Sequence, residues 1–172
     1  MRYDTNNARC EVFTFKEGLL SAIAHDLRIK VTGFSVEVDR AARIVEARFE
    51  AASLRVECAR KADADAPDLL SPKDRGEIEH NIARDVLDAA RYPEIEFRST
   101  EIADAPGGHR VRGTLSLHGR DHDLDFTTRT EGDHETAEVT LHQPDFGIKP
   151  YSAMLGTLKV KPDVKIVLTL PR

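Results

Sequence analysis

Seven histidines are the side chains of this 172-residue sequence best suited to chemistry, because an imidazole titrates near neutral pH, shuttles protons and ligates zinc. His80 lies on a predicted helix beside Glu77, Glu79 and Arg84, and His109 and His134 stand in or beside turn signals, so solvated positions are their ordinary reading. His118 and His122 flank Gly119, and His142 falls on the strand face opposite Val139 and Leu141. His25, next to Asp26 in an apolar stretch, is the most suggestive. A metal-dependent enzyme or stress protein using His25, Asp26, His118 and His142 is therefore one alternative. It lacks a His-x-x-x-His pair on a helix and a His-x-Glu motif. Ser21, Ser99, Ser116 and Ser152 offer hydroxyls, but no Gly-x-Ser-x-Gly elbow and no phosphate-cradling glycine loop accompanies them. Cys10 and Cys58 have no C-x-x-C spacing and read as small, half-buried strand residues, a disulfide being the lesser reading.

The elements that must position these residues belong to one domain of ordinary size, spanning residues 1–172. Hydrophobic residues at 40% and charged residues at 32% describe a soluble globular chain. A net charge of −5 argues against a surface that neutralises phosphates, and nucleic acid is not an expected partner. No apolar run reaches signal-peptide or membrane-span length. The expected location is the cytoplasm, or the periplasm if a leader was removed.

One long helix stands out among strands. From Ser71, apolar residues recur at Ile78, Ile82, Val86 and Ala90; Ser71, Pro72 and Asp74 form a capped start, and Tyr92-Pro93 ends the helix after about five turns. Before it, Arg9 to Lys16 alternates with apolar character on both faces, and Leu19 to Leu27 reads as a helical turn or bent connection. Leu27, Ile29 and Val31 give way across Gly33 to Phe34, Val36 and Val38, with the register flipping at the glycine. Val45 to Val56 is one long strand, and Ala59 to Leu70 an exposed loop. After the helix, strands are predicted over Glu94 to Ile102, Val111 to His118, from Leu124 through Thr128, over Ala137 to Asp145, and over Val164 to Leu170; Phe146 to Gly156 is a loop, and Thr157 to Val160 resumes an extended pattern. The sum is about eight strands with one helix between the third and fourth, which favours an antiparallel barrel or sandwich over a parallel βαβ fold.

A barrel of that size encloses room for one small or elongated apolar ligand, with loops and the helix as a lid. Phe13, Phe15, Phe34, Phe49, Phe97 and Phe126 on the strands, with Phe146 at the head of the following loop, are the candidate lining. The alternative is that they fill a dry core, and periodicity does not separate the two.

The order of motifs resembles the YceI-like family of polyisoprenoid-binding, lipocalin-like barrel proteins along nearly the whole chain. The match runs from Phe13-Thr14-Phe15 and Gly33-Phe34 through Arg91-Tyr92-Pro93-Glu94-Ile95-Glu96-Phe97-Arg98-Ser99-Thr100 to Gly113-Thr114-Leu115-Ser116-Leu117-His118-Gly119 and Asp145-Phe146-Gly147-Ile148. The resemblance implies an all-β, eight-stranded antiparallel barrel that performs no chemistry and requires no cofactor. Its cavity would carry or sequester an isoprenoid or other long amphiphilic lipid, such as a quinone. For a polar headgroup, His25, Lys149 and Tyr151 are the candidates, from two loops that could meet at a barrel end. Whether two copies form a homodimer is left open.

Overall fold

The computed structural model describes residues 1–17, 25–156 and 158–172. In chain order its strands are β1 (Arg2–Asp4), β2 (Arg9–Thr14), β3 (Asp26–Val31), β4 (Phe34–Asp39), β5 (Ile44–Glu50), β6 (Leu54–Lys61) and β7 (Ala64–Ala66). Helix α1 (Pro72–Asn81) follows, then β8 (Glu94–Ala105), β9 (Gly108–Leu117), β10 (Arg120–Glu131), β11 (His134–His142), β12 (Ser152–Ala153), β13 (Leu158–Lys159) and β14 (Asp163–Pro171). Among the described residues, twelve of these strands form one curled antiparallel sheet in the order β1-β4-β5-β8-β9-β10-β11-β14-β2-β3-β6-β7, and β12 pairs with β13 apart from it.

The strands form where apolar and polar residues alternate, because one face of the curled sheet is turned inward. β3 runs on into β4 and β5 into β6, and the two chains stay bonded across the bend: Thr32 N–H donates to the Ser53 carbonyl at 3.0 Å and Glu50 N–H to the Gly33 carbonyl at 2.9 Å. This bent hairpin supplies both ends of the sheet order and draws them together into a barrel. A Cβ at Gly33 would sit 2.5 Å from Glu50 Oε2 and 3.0 Å from Ser53 Cβ, so a larger residue at the bend would have to displace the Glu50 carboxylate. Across it the inward set changes from Leu27, Ile29 and Val31 to Val36 and Val38, as expected.

The expected eight strands are thus counted differently. The bends at Gly33 and at Ala51–Ser53 divide two long strands, β1 and β7 add short edges, and the helix follows the seventh strand rather than the third. The predicted exposed loop from Ala59 is partly ladder, with Ala59, Arg60 and Lys61 paired to Ala66, Asp65 and Ala64. The helix is also shorter. Its start is the expected box, Asp74 N–H donating to Ser71 Oγ at 3.1 Å and Ser71 N–H to Asp74 Oδ2 at 2.9 Å. After ten residues the turns widen over Ile82–Val86, and Leu87 N–H donates to the Ile82 carbonyl five residues back. Asp88 then takes a left-handed φ of 44° and the helical run stops. Most of the predicted Leu19 to Leu27 connection, with Ser21, lies outside the described residues.

α1 lies at the end of the barrel opposite the β4–β5, β8–β9 and β10–β11 turns, against β6. Its apolar stripe is only half-buried, as befits an element over a mouth. Cys10 and Cys58 are fully buried and free, a correction to the half-buried reading.

Candidate functional site

Inside the barrel lies a cavity of about 1120 Å³, above the roughly 300–1,000 Å³ of most small-molecule pockets. Its wall is the inward set of nearly every long strand, including Val12, Ile29, Val36, Ala47, Val111, Leu115, Leu168 and Leu170. Of the predicted aromatics, Phe49, Phe97, Phe126 and Phe146 line it. Phe97 and Phe126 meet in a tilted pair with centroids 5.8 Å apart. The inward parity of β8 changes at a bulge between Ser99 and Glu101, so that Phe97 is followed into the cavity by Ile102.

Three of the predicted aromatics do not line it. Phe13 is on the outer face of β2, because Cys10, Val12 and Thr14 hold the inward parity; the Arg60 guanidinium lies 5.1 Å and the Lys165 ammonium 5.3 Å from its ring centroid. Phe15 shares the Phe13 parity just beyond β2, where its carbonyl accepts from Lys161 N–H at 2.8 Å. Phe34 is buried behind Phe49, stacked at 6.0 Å, and belongs to the packed core.

His25, Tyr151 and Asn81 each line the cavity, and the Asn81 amide donates to the Tyr151 hydroxyl at 3.2 Å. Lys149 is not among the lining residues, whereas Lys159 is, although both are exposed. Ile78, Ile82 and Val86 close the helix end with apolar surface.

The turn end carries a polar network that the sequence reading missed. Arg43 grips Asp104 with two contacts of 3.0 Å. His109 Nδ1 lies 2.7 Å from Glu135 Oε1, and the buried Thr128 hydroxyl donates to the same oxygen at 2.6 Å. Burial works against the Glu135 charge, but the hydrogen bonds from Thr128 and His109 outweigh it and hold the carboxyl below its ordinary value. His109 shares the parity of Val111, Leu115 and Leu117 on β9 and lines the cavity while 40% of its side chain stays exposed.

The remaining histidines have separate partners. His118 meets Tyr92 in a tilted pair with centroids 4.6 Å apart, and His142 Nδ1 pairs with Asp163 at 2.6 Å on the outer face. Asp26 accepts from Lys16 N–H at 2.7 Å. Among the described residues no group of three or more His, Cys, Asp or Glu is placed to hold a metal ion, so His25, Asp26, His118 and His142 do not converge.

A curled antiparallel sheet around a largely apolar cavity, with one helix at its mouth, defines a β-barrel with a ligand-sized interior. The YceI-like domain matches residues 3–171, and the chain belongs to that family. Among solved structures, its fold is similar to BcnA of Burkholderia cenocepacia, with a TM-score of 0.65 and 18% identity over 95% of this chain and 94% of that one. It is also similar to a YceI protein of Campylobacter jejuni, with a TM-score of 0.59 and 14% identity over 92% and 90% of the two chains. A polyisoprenoid-binding domain from Saccharophagus degradans, implicated in plant cell wall breakdown, aligns with a TM-score of 0.57 and 11% identity over 95% and 93%. At these identities the likeness is one of fold. No curated protein matches the sequence. Among the described residues no helix is long and apolar enough to cross a membrane.

Proposed function

We propose that the protein is a non-catalytic carrier or sequestering protein for a long amphiphilic lipid, an isoprenoid such as a quinone tail being the favoured ligand. The observation that carries this reading is the 1120 Å³ cavity walled by inward strand residues. Burial of each CH₂ contributes about 0.8 kcal/mol, so a chain that fills such a cavity binds well with few polar contacts. The barrel is read here as eight staves, β3 with β4 and β5 with β6 each counting as one. The ligand's tail packs among Phe49, Phe97 and Phe126, and a polar headgroup meets His25, Tyr151 and Lys159 at the helix end. Family membership and the likeness to a polyisoprenoid-binding domain support the same ligand class.

Mass spectrometry of an organic extract from the purified protein tests the reading. A stoichiometric isoprenoid or other long-chain lipid is expected. Failure to retain any lipid, together with failure to take up added isoprenoid alcohols, overturns it.

A further inference from the structure

The wall of the barrel is not continuous between β10 and β11. These strands pair only from Thr128 with Ala137 to Glu131 with His134, near the turn that joins them. Beyond Thr128, residues Arg120–Thr127 of β10 pair with β9 alone, and Glu138–His142 of β11 with β14 alone. Continuing the register would set Phe126 opposite Val139 and Leu124 opposite Leu141, all four lining the cavity. No ladder joins them.

On the outside of this split lies a separate groove of about 210 Å³. Leu124, Val139, Leu141 and Phe146 line both the groove and the main cavity. Side chains alone therefore divide the interior from solvent between Arg120–Thr127 of β10 and Glu138–His142 of β11. The turn after β11 supplies the stopper. Phe146 is buried, its ring 5.5 Å from that of His122, and Gly147 follows with a left-handed φ of 68°. Rotating apolar side chains requires no backbone hydrogen bond to break, whereas moving α1 breaks the bonds that hold it to β6 and to Tyr151.

We propose that the split between β10 and β11 is the doorway through which the apolar chain of the ligand enters and leaves, with Phe146 as its stopper. The proposal rests on the lipid-binding reading. The groove is bordered by Asp123 and Asp145 beside His122 and His142, while Asp125 at its edge is paired with Arg110 and Arg112, so its remaining acidic groups disfavour an anionic headgroup.

The test uses retinol, a fluorescent neutral isoprenoid alcohol, and stopped-flow mixing with the full chain. Cysteines at Asp125→Cys and Thr140→Cys, outward positions facing each other across the split, are joined by a short bis-maleimide; the same double variant left unlinked is the reference. Linking is expected to slow uptake and release together, on the order of tenfold or more, with little change in affinity. A control link across bonded strands away from the split, Glu37→Cys with Glu46→Cys, is expected to leave both rates alone. Phe146→Ala is expected to speed exchange. Rates indifferent to the β10–β11 link and to Phe146→Ala overturn the doorway while leaving the lipid reading intact. Absence of retinol binding by the parent protein overturns the lipid reading and the doorway with it.

Discussion

The ring of Phe97 occupies the place where Gly113 has no side chain. Both face inward on adjacent strands, and a Cβ on Gly113 would collide with the Arg98 backbone carbonyl as well as lie 2.5 Å from Phe97 Cζ. Gly113→Val is expected to push Phe97 into the cavity, destabilise the fold by about 1–3 kcal/mol through overpacking, and lower retinol capacity. Chemical denaturation and fluorescence titration check the two effects separately.

Glu79 ties the helix to the sheet. Its carboxylate accepts from Val56 N–H at 2.8 Å, beside the irregular register of β3 with β6. Glu79→Ala is expected to cost about 1–2 kcal/mol by leaving that donor unpaired. Amide exchange should rise first at Val56 and along α1. Ile82→Asp, which places charge against the cavity, should reduce melting temperature and lipid retention together; unchanged values for both would show that the helix does not seal this end.

Acid should find the outer face of β9 and β10. Hydrogen bonds from Arg110, reinforced by Arg112 against the cost of burial, hold the Asp125 carboxyl down to about 2. A lowered folded value means that its stabilisation is complete above the ordinary aspartate value of about 3.9 and is lost as pH falls through about 2. Between those limits, Asp125→Asn should show a shallower loss of stability with falling pH than the parent, measured by urea unfolding at each pH.

Burial pushes the Cys10 thiol up to about 12, and Cys58 is likewise buried. Neither should react with a thiol reagent at pH 8 in the native state, and both should react after unfolding. Because Cys10 lines the cavity, reaction there in native protein would report opening of the barrel.

The alternation of β3, β5, β9 and β14 made most of the cavity wall legible in the sequence, and Ser71-Pro72 marked the helix start. Parity was lost where one residue is added or a strand bends. Phe13 and Phe15 sit in a stretch apolar on both faces, so period two alone could not tell which set faces in; the pairing of β2 with β14 and β3 decides it. The Glu135, Thr128 and His109 network was hidden because it joins the start of β9 to the β10–β11 hairpin, a proximity that only the ladder creates. The split over Arg120–Thr127 left no mark in the sequence, since Leu124 and Phe126 alternate as any paired strand would.

The two outermost strands, β1 and β7, are three residues long, too short to recruit a further chain and seed a fibril. The split is the longer hazard, because it leaves Arg120–Thr127 unjoined on one side. Asp121, Asp123 and Asp125 stand along its outer face, held by Ser116, Thr114 and Arg110. A second copy adding there in register would bring carboxylate against carboxylate. The same acidic row that borders the groove thus sets the barrel against polymerising through its own opening.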